Sequence, residues 1–337
     1  MPILSIIMPA YGVEEYISIA IDSVLSQIFE DWELIVVNDG SLDRSGEIAK
    51  MYASRDHRIQ VYDKTNGGLS DARNFGIQYA NGKYIHFFDS DDRITSEYYS
   101  TMIREMEATD ADILISGYTV ETINTKGRSS IHKQELLIPP STSYEFANFI
   151  NFINFAWNKL FRKEFLLNTN LRYEKGLKAI EDCEFMSRVV KYNPKIDYSC
   201  ATGYYYRNDT RTTLSKYFDI ALISLEERRI GCSVEILKFL SKDANIISEA
   251  IEICRFRTLR ALLHSLFAFS SQKMLKYDFN LVKEIIHTPN LRINTKVPSC
   301  LTYQEKVLWT CLHYRLSFLV YGIYRLKETK SINMRYI

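Results

Sequence analysis

The chain has 337 residues, of which 46% are apolar and 25% charged, and its formal net charge is +1. That length and balance suit a folded catalytic domain with a smaller appended unit and exclude a disordered chain, because no long stretch lacks apolar residues. No uncharged run reaches the roughly 18–20 residues that a membrane-spanning helix needs.

Over the first 118 residues, short apolar runs alternate with helical patterns. Leu4-Ser5-Ile6-Ile7-Met8 reads as a buried strand, and Ile17, Ile21, Val24, Leu25 and Ile28 then recur at helical spacing. Leu34–Val37 is a second strand, followed by a helix marked by Ile48, Ala49, Met51 and Tyr52. Ile59–Tyr62 is a third strand, with a helix near Leu69–Tyr79; Tyr84–Phe88 is a fourth, with a helix near Glu97–Glu107; Ile113–Ile115 is a fifth. Such alternation predicts an α/β fold whose mostly parallel sheet carries helices on both faces. Thr119–Pro140 reads as a hairpin, residues 141–215 mix short helices with the aromatic strand Gly203–Tyr206, and the pattern from Lys216 onward is helical. Ile223, Ile230, Val234, Leu237 and Leu240 form one stripe there. Ile253, Phe256, Leu259, Leu262, Leu263, Leu266 and Phe267 form another.

In an open parallel sheet, ligands bind beyond the carboxyl ends of the strands. The first strand ends in Pro9-Ala10-Tyr11 with Glu14 soon after, and the second in Asn38-Asp39-Gly40-Ser41. After the third comes Asn66-Gly67-Gly68-Leu69-Ser70-Asp71-Ala72-Arg73, and the fourth ends in Asp89-Ser90-Asp91-Asp92. Taken singly, Asp39-Gly40 is an ordinary tight turn and the paired glycines an ordinary loop. Asp92 is expected to cap or polarise the next helix. Asp89 and Asp91 are different. Two carboxylates at this spacing repel unless a cation or hydrogen bonds neutralise them, and few oxygen ligands plus phosphate suit Mg²⁺ or Mn²⁺. There is no G-x-G-x-x-G after the first strand, which disfavours a dinucleotide dehydrogenase, and Gly76 to Gly82-Lys83 has the wrong spacing and context for a phosphate loop.

Four segments then carry a resemblance in order and at good spacing: Leu4–Tyr11, Val36–Ser41, Asn66–Ser70 and Phe88–Asp92. Together they resemble family 2 glycosyltransferases, more weakly through Trp157–Leu160 and Glu181-Asp182, and not over the last 120 residues. The resemblance implies a GT-A, Rossmann-like fold and inverting transfer from a nucleotide sugar, usually a UDP-sugar. It implies that Pro9, Ala10, Tyr11 and Asp39 hold the nucleotide base, with Tyr11 stacking on it. Glu14 and Ser90 join the donor-side residues, and Gly67, Gly68 and the region to Arg73 approach the diphosphate and sugar. Asp89 and Asp91 match the family's D-x-D signature, with Asp91 the direct ligand of Mn²⁺ or Mg²⁺ and Asp89 nearer the nucleotide. Asp182 matches the catalytic base, and Glu181 its partner in orienting the acceptor. Many relatives add a histidine after the acidic pair as a metal ligand. Residues 183–263 here contain none, and Arg207 stands in the corresponding stretch, so either diphosphate and water complete the metal's shell or Arg207 supplies part of the charge.

On this reading residues 1–118 bind the donor, 119–215 supply the acceptor side and the base, and 216–337 form a helical region. Transfer needs one base on the acceptor hydroxyl, whereas a hydrolase needs an acid and a base flanking the bond. Rival functions are a sugar-phosphate nucleotidyltransferase, which lacks its glycine-rich N-terminal loop here, a processive synthase, which lacks its Q-x-x-R-W motif, and a non-catalytic scaffold.

The charge is unevenly spread: residues 1–215 carry a balance of −7 and residues 216–337 one of +8. A basic final third suits an anionic partner, nucleic acid or a membrane surface, or is merely solvated helix charge. Residues 305–337 hold six Lys and Arg against two Asp and Glu. Over 305–327 these interleave with aromatic and apolar side chains, as in an amphipathic helix lying in a membrane interface or packed in a dimer. The partners expected are a nucleotide sugar, a saccharide acceptor, lipid-linked if the membrane reading holds, and no nucleic acid. Met1-Pro2 leads straight into a strand with no secretory pattern, and Cys183, Cys200, Cys232, Cys254, Cys300 and Cys311 form no C-x-x-C pair, so a cytoplasmic protein at the inner face of the membrane is expected.

Overall fold

A computed structural model describes residues 1–123, 129–135, 140–177, 179–209, 221–270, 278–294, 297–298, 301–317, 319–321 and 323–324. The chain divides into two compact units, Met1–Pro139 with Asn151–Thr212, and Pro140–Ile150 with Thr213–Ile337.

The first unit opens with β1 (Leu4–Ala10), α1 (Ile17–Leu25), β2 (Trp32–Asn38), α2 (Ser45–Ala53), β3 (Ile59–Asp63), α3 (Leu69–Tyr79) and β4 (Tyr84–Phe87). It continues through β5 (Arg93–Ile94), α4 (Tyr98–Ala108), β6 (Ile113–Ser116), β7 (Tyr118–Ile123) and β8 (Ser129–Gln134). After α5 (Ser143–Asn154), which the division between the units cuts, come β9 (Lys159–Arg162), α6 (Lys163–Asn168), α7 (Glu181–Val189), β10 (Ile196–Ser199) and β11 (Tyr204–Asp209).

Seven strands form one sheet in the order β10-β6-β9-β4-β1-β2-β3. β1 runs parallel to β2 and β4, β2 to β3 and β6 to β10, while β9 is antiparallel to both of its neighbours. Every residue of β1 is buried, as a parallel strand covered on both faces requires. Gly76 lets α3 approach closely, since a Cβ there would come within 2.3 Å of the Ile7 side chain. A smaller sheet, β5-β11-β7-β8, contains the expected hairpin as the antiparallel pair β7 and β8. All six residues of β8 are exposed, among them Lys133, which suits an edge strand. The first helix is shorter than its pattern: α1 stops at Leu25, and Ile28 is exposed with its N–H donated to the Ser96 carbonyl.

The second unit contains α8 (Ala221–Leu240), α9 (Ala244–Ser270), α10 (Asp278–His287) and α11 (Tyr303–His313). The expected α9 stripe, from Ile253 to Phe267, is buried. On α8, Ile236 is buried beside Ile223, Ile230 and Leu237, while Val234 and Leu240 are half-buried. Thr302 and Glu305 form a capping box that starts α11. The single amphipathic helix expected over 305–327 is corrected here, because α11 ends at His313. Arg315 takes a left-handed φ of 54°, and the Leu316 N–H turns back to the Cys311 carbonyl at 2.8 Å, a Schellman stop. Phe318 and residues 325–337 lie outside the described residues.

Candidate active site

The loops after β1 and β2 are laced together. The N–H groups of Gly12, Val13 and Glu14 donate to Ser41 Oγ, Ser45 Oγ and Asp43 Oδ2 at 2.8–3.0 Å, and Glu14 accepts in return from the Arg44 N–H at 3.0 Å. Burial pushes the Asp43 carboxyl up, but hydrogen bonds from Ser41, Ser45 and the Glu14 N–H outweigh it and hold it at about 2. Pro9 and Ala10 are buried in β1, while Tyr11 stands 53% exposed at its end. Glu14 is exposed and occupied in joining the two loops.

Asp39 is almost enclosed. Its oxygens accept from Lys64 Nζ at 2.5 Å and from the N–H groups of Gly67 and Gly68 at 3.0 and 2.8 Å. Gly68 adopts φ 84° and ψ 169°, a region essentially closed to other residues, and this delivers its N–H to Asp39 immediately before α3 begins. Lys64 also pairs with Asp71 at 2.7 Å, and Lys175 pairs with the other Asp71 oxygen.

The acidic residues separate into three environments. Asp89, at the end of β4, accepts from Arg73 Nη2 at 2.9 Å, and burial still pushes its carboxyl upward against that cation. Ser90 is buried. Asp91 is exposed on the rim, yet its surroundings desolvate the charge and Asp89 repels it, so its carboxyl rises to about 6. Asp92 is fully buried and pushed well up, first by burial and then by Asp91 and Asp89. The capping role expected for it is corrected: its oxygens accept from Tyr204 Oη and the Arg207 N–H, both at 2.7 Å, and so dock β11 beside β5. Glu97, not Asp92, stands at the start of α4.

Glu181 and Asp182 open α7, where an acidic pair also meets the positive end of the helix dipole. The preceding Ile180 has φ 64°, a left-handed conformation that costs a β-branched residue roughly 1–3 kcal/mol. Asp182 accepts from Arg73 Nη1 at 2.5 Å and from the Ala156 N–H at 3.0 Å. Burial and Asp182 push the Glu181 carboxyl upward. Arg73 is placed differently from expectation. It is 1% exposed, lies beneath the site over the Tyr173 ring, and spends its two terminal nitrogens on Asp89 and Asp182. The D-x-D end of β4 and the acidic pair of α7 are thus joined through one guanidinium.

Sequence reasoning did not pick out Lys64 or the Ala156 N–H, and it noted Tyr204 only within an aromatic strand and Lys159 only as part of a resemblance. Lys159 is fully buried and donates to the carbonyls of Phe152 and Phe155 and to Asn158 Oδ1, fixing the loop that carries Ala156. Burial pushes its ammonium well down, and Asp182 pulls it up. A cavity of about 170 Å³ opens beside Asp91, walled in part by Tyr16, Arg93, Glu121, Tyr205 and Arg207. Arg207 lies over the Tyr16 ring at 4.2 Å.

Among the described residues no group of three His, Cys, Asp or Glu could hold a metal by itself. The donor chemistry fits an ion shared with a diphosphate, because Asp91 presents one rim carboxylate while Asp89 is already paired with Arg73.

The fold that carries these residues is shared with known sugar-transferring enzymes. The family described as glycosyl transferase family 2 matches residues 5–168, and the chain belongs to that family and is a glycosyltransferase. An uncharacterized glycosyltransferase of Bacillus subtilis, EpsJ, is 29% identical over 337 residues, 95% of each chain. The glycosyltransferase GlyA of Streptococcus pneumoniae is 42% identical over 115 residues, 34% of this chain and 16% of that protein. The fold is the GT-A arrangement. Residues 1–349 of Staphylococcus aureus TarS, in complex with UDP-GlcNAc, match it with a TM-score of 0.61 at 20% identity, over 100% of this chain and 94% of that one. The mannosyltransferase PcManGT of Pyrobaculum calidifontis, in complex with GDP-Man and Mn²⁺, matches with a TM-score of 0.51 at 12% identity, over 98% and 88%.

Proposed function

We propose that the chain transfers a sugar from a UDP-linked donor to a saccharide acceptor, with inversion at the anomeric carbon, in the assembly of a surface polysaccharide on a lipid-linked acceptor. The observation that carries this reading is the ion-pair triad of Asp89, Arg73 and Asp182, which ties the donor-side carboxylate to the acceptor-side one. TarS, which was crystallised with UDP-GlcNAc, supports the choice of donor class.

In this proposal Tyr11, exposed beyond Pro9-Ala10, stacks on the base, and Asp39 shapes the Gly67-Gly68 loop whose backbone approaches the diphosphate. Glu14 and Ser90 support the donor side from the loop after β1 and from beneath the D-x-D turn. Asp91, with Asp89 behind it, would hold Mn²⁺ or Mg²⁺ together with diphosphate oxygens and water. Such an ion neutralises charge developing on the leaving diphosphate. Asp182 keeps lone pairs beyond those that meet Arg73 and Ala156, and it takes the proton of the acceptor hydroxyl as that oxygen attacks. Glu181 orients the acceptor. Arg73 is a positioning residue that holds Asp182 in place.

Asp182→Asn is expected to lower transfer about 10³-fold, within the range for loss of a general base. Calorimetry with UDP-GlcNAc and Mn²⁺ should show donor binding retained. Transfer at a near-normal rate would remove Asp182 from the role of base. The same proposal places residues 305–337 against the inner face of the membrane, supported by the exposed Tyr314 and Leu319. Co-sedimentation with anionic vesicles should fall when residues 300–337 are removed. Equal, negligible binding by both forms would leave a homodimer contact as the use of this surface.

A further inference from the structure

Between the two acidic groups stands a set of aromatic rings that the proposed chemistry leaves unused. Phe155, Trp157 and Tyr206 are nearly parallel: Phe155 lies on Trp157 at 4.7 Å and 17°, and Trp157 on Tyr206 at 5.2 Å and 4°. Trp157 is buried, whereas Phe155 and Tyr206 are half-exposed. Tyr118 braces Phe155 and Trp157 edge-on, both at 89°.

The location follows from the neighbours of each ring. Phe155 precedes Ala156, whose N–H donates to Asp182, and Tyr206 precedes Arg207, whose N–H donates to Asp92. Tyr206 also lies close enough to Asp92, Asp91 and Asp89 for all three to push its hydroxyl upward, after burial. The backbone beneath both rings is fixed, on one side by Lys159 gripping the Phe155 carbonyl and on the other by Asp92 gripping Tyr204 and Arg207. Rings held this way lose little freedom when a ligand arrives.

We propose that Phe155 and Tyr206, on their Trp157 base, form the platform on which the accepting sugar ring lies while its hydroxyl meets Asp182. The proposal rests on the transferase reading above and adds to it the class of acceptor, a pyranose. The C–H-bearing face of a pyranose is weakly positive and apolar, and it complements the negative face of an aromatic ring. A polyol phosphate has no such face and gains nothing from parallel rings. Because Asp182 is held by the residue next to Phe155, a sugar seated on the platform brings a hydroxyl to the base without rearrangement of either.

The test measures transfer from UDP-GlcNAc with Mn²⁺ to methyl β-glucoside, methyl β-galactoside and methyl N-acetyl-β-glucosaminide, with glycerol phosphate in parallel. Phe155→Leu and Tyr206→Leu should each raise the KM for the accepted glycoside tenfold or more, with a much smaller change in kcat. Phe155→Tyr and Tyr206→Phe keep a flat ring and should restore the KM, which separates stacking from a folding defect. Unchanged KM in both leucine variants overturns the platform. So does a wild-type protein that turns over the donor but transfers only to glycerol phosphate, and that result leaves the transferase reading intact. A wild-type protein that turns over no member of a panel of nucleotide sugars overturns the transferase reading, and the platform with it.

Discussion

Asp39 and Asp182 stand at the mouth of the same sheet, and the ways in which they are held differ. Asp39 is gripped by Lys64 and by the N–H groups of Gly67 and Gly68, donors from one short stretch within the β3–α3 connection. Asp182 is gripped by Arg73 and by the Ala156 N–H, donors 109 and 26 residues away. Two of the three donors to Asp39 are backbone groups, which substitution scarcely removes. Asp182 depends on one side chain, and that side chain also neutralises Asp89. The surroundings of Asp39 are therefore built locally and redundantly, whereas Asp182 hangs on a single cation.

The strongest way to break this contrast is Arg73→Met, which leaves Asp89 and Asp182 facing each other with no counter-charge. Removing one partner of a buried pair costs about 3–5 kcal/mol, so denaturant unfolding should show a loss of that size together with loss of transfer. Arg73→Lys keeps the charge but not the two-pronged fork, and should recover part of the stability and little of the activity.

His86 gives the next largest effect. It lies in β4, fully buried, with Nδ1 at 2.8 Å from Tyr99 Oη and Nε2 at 2.6 Å from the Trp157 carbonyl, so it connects β4 to the loop between α5 and β9. Burial pushes its pKa down to about 4 from the ordinary 6.5, and the Trp157 carbonyl resists only in part. Between these values the unfolded chain binds a proton that the folded one refuses. Stability is therefore intact above pH 6.5 and declines as pH falls toward 4, by at most about 3 kcal/mol. His86→Gln should flatten that slope in unfolding measured from pH 7 to 4; an unchanged slope would assign the decline to other groups.

The smallest effect is expected on the local side. Gly68→Ala forces a side chain into a positive-φ conformation and should cost about 1–2 kcal/mol. Weaker donor binding in calorimetry should accompany the loss, with the Arg73–Asp182 contact untouched.

The same contrast explains what the sequence disclosed. β1 to β4 were legible because each is an apolar run bounded by turn residues and separated by helical periodicity. Asp39, Asp91 and the Glu181-Asp182 pair could be singled out as candidates because they sit in motifs at strand or helix ends. β9 was not: Lys-Leu-Phe-Arg has only two apolar residues, and it is a strand because β4 and β6 offer it edges on both sides. The two-residue β5 carries no periodicity at all. Asp92 was misassigned to a helix start because its partners, Tyr204 and Arg207, lie more than a hundred residues downstream. Arg73 was read toward the diphosphate for the same reason, since only tertiary folding brings Asp182 to it. The end at His313 escaped notice because the left-handed residue that stops α11 is Arg315 rather than glycine.

The antiparallel insertion of β9 bears on the order in which the chain can fold during synthesis. β4 and β6 take their places on either side of a gap that only residues 159–162 fill. A nascent chain that has emerged only as far as β8 therefore leaves open the β9-facing edge of β4 and both edges of β6, whose partners β9 and β10 lie downstream, and open edges are the usual template for unwanted pairing with another chain. Lys159–Arg162 closes the two edges that face it, β10 later covers the remaining edge of β6, and the buried Lys159 that opens β9 also fixes the loop bearing Ala156. Closing the gap between β4 and β6 and fixing the loop beside Asp182 thus fall to the same short strand.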